Sequence, residues 1–148
     1  MEKILPHKHP MILIDDVIGV DLEHKNLTAQ VTINENMVSF DKVLNGVPSV
    51  AGIEFMAQTV ACYSYFKNVE KEPQVGLLLG TRLYNTSLTC FPLGETFAIN
   101  VSEVYEDKIA VFDCIIYDGS DKECASATVN VYQNETANKI LAMAYITE

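Results

Sequence analysis

Apolar and polar positions alternate along most of this chain. Leu27, Ala29, Val31 and Ile33 are interleaved with Thr28, Gln30 and Thr32. Phe97, Ile99 and Val101 are interleaved with Ala98, Asn100 and Ser102, and Ala125, Ala127, Val129 and Val131 with Ser126, Thr128 and Asn130. Alternation with period two predicts strands that turn one face to a core and the other to water. Met11 to Val20, Val75 to Tyr84 and Ile109 to Tyr117 are longer apolar runs that also read as strands, the last interrupted by Asp113. Turn residues separate them at Pro92-Leu93-Gly94 and Asp118-Gly119-Ser120, and Tyr105 to Lys108 reads as a hairpin loop.

One stretch breaks the rhythm. Residues 50–67 are rich in Ala and Met, follow Pro48-Ser49, and are apolar on nearly every side. That pattern predicts a helix with Ser49 as its N-cap, buried rather than lying on a wet surface. Gly52, Ala57 and Ala61 leave room for close backbone approach. One long buried helix against a mostly antiparallel sheet of about six strands is an α+β domain. No repeat or shift in composition divides the chain, so residues 1–148 read as a single domain. Asn134 to Glu148 fits either a short helix or an edge strand.

Charge narrows the function classes. Twenty acidic and ten basic residues give a net charge of −10, and Arg82 is the sole arginine. Binding to nucleic acid is not expected, because phosphate recognition needs clustered cations. The most apolar run, Val50 to Phe66, carries Glu54 and Gln58 and falls short of the ~20 residues a membrane span needs. The start of the chain, Met1 to Pro6, lacks the apolar core of a secretory signal. Cysteines 62, 90, 114 and 124 have no C-x-x-C spacing. They read as reduced core thiols of a cytoplasmic protein, with no metal and no cofactor expected.

Few residues could carry chemistry. Glu54 is the one charged residue between Lys42 and Lys67, and it falls in the first turns of the buried helix. It could simply complement the positive end of the helix dipole. It could equally be a general acid or base whose pKa is raised by apolar surroundings. His7 and His9 flank Lys8 in Leu5-Pro6-His7-Lys8-His9-Pro10, which alone suits a polar turn. The amides of Val50, Ala51 and Gly52 at the helix start could hold an oxyanion. Gly80 and Arg82 end an apolar strand, where glycine allows either a bulge or the close approach of a ligand.

Three segments carry a resemblance. Leu5-Pro6-His7-Lys8-His9-Pro10-Met11-Ile12-Leu13-Ile14-Asp15 resembles the opening of the FabZ-type 3-hydroxyacyl-acyl-carrier-protein dehydratases. Pro48 through Glu54-Phe55-Met56-Ala57-Gln58 resembles their helix start, and Phe91-Pro92-Leu93-Gly94-Glu95 their turn before a long strand. Gly46-Val47-Pro48 and Val75 to Arg82 look closest to the ApeP-like branch found in aryl-polyene gene clusters. The resemblance implies a hotdog fold, in which a long helix is wrapped by a curved antiparallel sheet. It also implies a reaction: water is removed from a 3-hydroxyacyl thioester, linked to an acyl carrier protein, to give the trans-2-enoyl thioester.

In that family a glutamate on the helix of one subunit faces a histidine from a G-H-F-P loop of the other. Glu54 matches the glutamate, and Gln58 matches a glutamine one turn on, implied to bind substrate. No G-H-F-P occurs here, and the place of the histidine falls near Phe40. Two repairs are open: His7 reaches the site from the N-terminal segment, or a related hotdog subunit supplies its own histidine opposite Glu54. The resemblance thus implies a homodimer or a heterodimer. A thioesterase, and a non-catalytic acyl-binding or scaffolding subunit, are the alternatives. Acyl carrier proteins are acidic, as is this chain, so docking would need a basic patch, for which Lys8, Lys42, Lys67, Lys71 and Arg82 are candidates.

Overall fold

A computed structural model describes residues 1, 3–5, 11–67, 76–107 and 109–133. Six strands form one antiparallel sheet in the order β1-β2-β6-β7-β8-β4: β1 is Asp16–Asp21, β2 Asn26–Thr32, β4 Gly76–Thr86, β6 Thr96–Glu106, β7 Ile109–Tyr117 and β8 Glu123–Gln133. Two short strands, β3 (Gly46–Pro48) and β5 (Cys90–Pro92), pair in a small second sheet. The helix α1 spans Ala51–Lys67.

The alternation places the core. Leu27, Ala29 and Val31 of β2, Phe97, Ile99 and Val101 of β6, and Phe112, Cys114 and Ile116 of β7 are all buried on one face of the sheet. Phe55, Met56, Val60, Cys62 and Tyr63 of α1 complete that core. Aromatic rings lock the layers edge to face. Phe91 meets Phe55 and Phe97 at centroid distances of 5.2 and 4.9 Å, and Tyr63 meets Phe112 at 5.6 Å.

The expected α+β architecture, a long helix against six curved antiparallel strands, is the one observed. Three details differ. The first strand begins at Asp16 rather than Met11, because the backbone of residues 11–13 bonds to a helix side chain instead of a neighbouring strand. Strand β6 runs into the predicted 105–108 loop and reaches Glu106, while β7 begins at Ile109 as expected. The pair β3 and β5 escapes the pattern because three residues are too few to show a period. The tail from Asn134 onward, with its two predicted conformations, lies outside the described residues.

Candidate active site at the helix start

Glu54 stands in the first turn of α1. Val50 just ahead of the helix is 67% exposed, so this end of the otherwise buried helix lies at the molecular edge. Glu54 is accordingly half-buried, not fully enclosed by apolar side chains as the sequence suggests.

Gln58 lies one turn further on and is completely buried. Its Oε1 accepts the Leu13 N–H at 2.9 Å. Its Nε2 donates to the Met11 carbonyl at 2.7 Å and to Glu54 Oε1 at 3.2 Å. A primary amide has two N–H donors. One is spent on the backbone of the segment entering β1 and the other on the carboxylate, so Gln58 ties that segment and Glu54 to a single rigid point.

The turn before α1 is held from several sides. Ser49 donates its N–H to the Thr89 carbonyl at 3.2 Å, and its own carbonyl accepts both the Gly52 N–H, at 3.1 Å, and the Tyr84 hydroxyl. Gly52 is thereby a packing position: its amide is engaged within the turn, and a Cβ there would collide with the Tyr84 hydroxyl and press on the Phe91 ring. Of the three amides expected to meet an oxyanion, those of Val50 and Ala51 keep that role as an expectation.

The remaining candidates are spread out. Gly80 sits at a register slip of β4 against β8, and a Cβ there would meet open space. Arg82 is exposed on the same edge strand, across from Thr128. Phe40, where a histidine would stand in the resembled family, packs half-buried against the core. His7 lies outside the described residues, as do Lys8 and Lys71. Lys67 is engaged by Glu103, at 2.9 Å, and by Glu106, at the far end of the helix. Of the proposed basic patch, Lys42, Arg82 and the ion-paired Lys67 are exposed.

The sequence reading missed Tyr84, which it placed only as the end of a strand. Its ring reaches the helix start because β4 slips register between Arg82 and Asn85, with Leu83 at a φ of 57°. Burial first, and the nearby Cys124 second, push the Tyr84 hydroxyl up to about 12.

A helix lying in a curved six-stranded antiparallel sheet, with a carboxylate in its first turn fixed by a glutamine one turn on, is the architecture of a hotdog protein. The model of the ApeP-like family, described as ApeP dehydratase, matches residues 1–142, and the chain belongs to that family. The dehydratase heterocomplex ApeI:P from Xenorhabdus doucetiae is similar at a TM-score of 0.82 and 26% identity, covering 95% of each chain. A Streptococcus mutans protein bound to acetyl CoA superposes at 0.62 with 15% identity, over 86% of this chain and 96% of that one. The Escherichia coli PaaI protein of the phenylacetic acid degradation operon superposes at 0.62 with 11% identity, over 80% and 78%. These two share the fold. Among the described residues no helix is long and apolar enough to cross a membrane.

Proposed function

We propose that this protein is one subunit of a dehydratase that removes water from 3-hydroxyacyl thioesters, with Glu54 as the acid. The observation that carries the reading is the Glu54–Gln58 pair at the exposed helix start, in a chain of the ApeP-like family. The chemistry has two halves. A base takes the α-proton while its electron pair moves toward the thioester carbonyl, whose developing negative charge meets the amides of Val50 and Ala51. The carbon–oxygen bond then breaks as Glu54 hands its proton to the leaving hydroxyl, giving the enoyl thioester and water. The substrate class includes carrier-protein thioesters, and the site residues beyond Glu54 and Gln58 include Gly80 and Arg82 on the edge strand.

Phe40 has no atom that can take a proton. The likeness to the ApeI:P heterocomplex supports a partner of the same fold as the source of the base. A second reading keeps the base within this chain. Met11 is bonded to the same amide that holds Glu54, and His7 is four residues before it, within ~15 Å of chain at the 3.8 Å step between successive Cα atoms.

The test is turnover of a 3-hydroxyacyl thioester by the chain alone and with a co-purified hotdog partner, for wild type, Glu54→Gln and His7→Ala. Dehydration only with the partner, lost in Glu54→Gln and kept in His7→Ala, supports the first reading. Loss in His7→Ala without a partner selects the second. Full activity of Glu54→Gln removes both, and thiol release without enoyl formation shows a thioesterase instead.

A further inference from the structure

Three unfavourable features of this chain converge on one contact. Strand β4 carries an extra residue between Arg82 and Asn85, which face Thr128 and Ser126 of β8. Within that bulge Leu83 takes a φ of 57° and leaves its side chain 79% exposed, although the left-handed region suits glycine. At the start of α1, Gly52 stands where most residues would favour the helix more strongly. The bulge swings the half-buried Tyr84 ring onto Gly52, and the hydroxyl reaches the Ser49 carbonyl. A leucine at positive φ and a glycine in a helix both cost stability, and costs of this kind persist where surrounding structure demands a fixed geometry.

The geometry points to Tyr84 as a positioning residue: by bonding the Ser49 carbonyl and covering Gly52, it fixes the turn that presents the Val50 and Ala51 amides and, two residues past Gly52, the Glu54 carboxylate. This deepens the reading given under Proposed function and rests on it for its kinetic arm. The Ser49 carbonyl is held by two donors, and the Ser49 N–H is held by Thr89, so the turn is pinned to both β4 and the loop entering β5. Removing the phenol oxygen leaves the ring in place over Gly52 but frees one side of that pin. The turn then gains motion while the core beneath it stays packed.

The experiment uses Tyr84→Phe in the full chain, with and without its partner. Amide hydrogen exchange is followed across residues 49–54, with β6 and β7 as internal reference. The expected result is exchange at least tenfold faster at 50–54, with the reference strands unchanged. With partner and 3-hydroxyacyl thioester, kcat falls about tenfold while KM stays within twofold, as for an interaction used mainly in the transition state. Unchanged exchange at 50–54 overturns the proposal whatever the turnover. So does exchange that rises equally in β6 and β7, or a loss confined to KM, since each marks a contact that is merely structural. If wild type itself shows no dehydration, the proposed function fails, and the exchange result still decides the role of Tyr84.

Discussion

Gln58 bonds Glu54 and Met11 through the same nitrogen: Nε2 lies 3.2 Å from the carboxylate and 2.7 Å from the carbonyl. A carboxylate on the edge of a helix would otherwise sample several rotamers. Here a buried side chain with no freedom of its own selects one of them. Position of the acid and attachment of the segment entering β1 are therefore a single property of the chain.

Gln58→Ala is expected to disrupt both. The Leu13 N–H and the Met11 carbonyl lose their partner, and an orphaned buried polar group costs about 1–3 kcal/mol. With Met11 partly exposed, the sum is about 2–4 kcal/mol. Urea denaturation gives the number, and turnover falls in the same variant as Glu54 loses its tether. Unchanged stability would mean that the segment is held by its own apolar side chains alone.

Much of this arrangement was legible in the sequence, and the reason is periodicity. Alternation at Leu27–Ile33 and Phe97–Val101 is imposed by a sheet with one buried face, and the apolar stretch after Ser49 could be nothing but a buried helix. Glu54 and Gln58, four apart, had to share a helix face. What stayed hidden depends on contacts far apart in the chain. That Met11–Leu13 would bond to Gln58 rather than extend β1 leaves no mark in an apolar run. Tyr84 looked like a strand residue because a bulge formed by Leu83, a residue that disfavours positive φ, gives no local signal. The half-buried state of Glu54 was equally unreadable, since neighbours in sequence do not show where a helix end meets the surface.

Gly46 and Gly80 look alike in sequence and should respond oppositely to alanine. A Cβ on Gly46 would run into the Phe91 carbonyl, a backbone atom of the paired strand β5 that cannot turn aside. Overpacking of this sort costs about 1–3 kcal/mol, which for a chain of this size lowers Tm by roughly 3–10 °C. Around Gly80 a Cβ meets nothing within 4 Å, so Gly80→Ala stays within about 0.5 kcal/mol of wild type. Should Gly80→Ala hold its Tm but lose turnover, the open space beside it is where substrate passes. Thermal melts of both variants with one activity assay settle the comparison.

Alkali should unfold this protein earlier than its core size suggests. Burial pushes the Cys62 and Cys114 thiols up to about 12 from 9.0, and the Tyr84 and Tyr63 hydroxyls up to about 12 from 10.0. At Tyr63 the neighbouring Glu103 adds to the effect of burial. The unfolded chain thus releases these protons at lower pH than the folded one. Between about pH 9 and 12 the unfolded state binds fewer protons, and stability falls as pH rises. Below pH 9 the contribution is complete. Urea midpoints measured across this window should drop steadily, and phenolate absorbance should show Tyr63 and Tyr84 ionising only as the fold is lost. A flat midpoint across the window would show that these groups are wetter than their packing implies.

At the far end of α1, Lys67 holds a carboxylate that the chain has taken out of water. The Glu103 side chain is only 5% exposed; Lys67 Nζ lies 2.9 and 3.2 Å from its two oxygens and also reaches Glu106. Lys67, at the last turn of the helix, is itself well placed against the negative dipole end. Removing one member of a buried pair leaves the other charge stranded, which costs more than the pair contributes. Because Lys67 is 40% exposed, water can partly replace it, and Lys67→Met is expected to cost about 2–3 kcal/mol rather than the upper end of the range for buried pairs. Glu103→Gln removes the stranded charge instead and should cost less, about 1 kcal/mol, since the amide can still meet the Tyr63 hydroxyl. The double variant should then be more stable than Lys67→Met alone, giving a coupling of at least about 1 kcal/mol in a double-mutant cycle from urea denaturation. Strict additivity of the two single changes would show that the ammonium and the carboxylate act on the fold independently, and that the apolar stem of Lys67 is what the helix end requires.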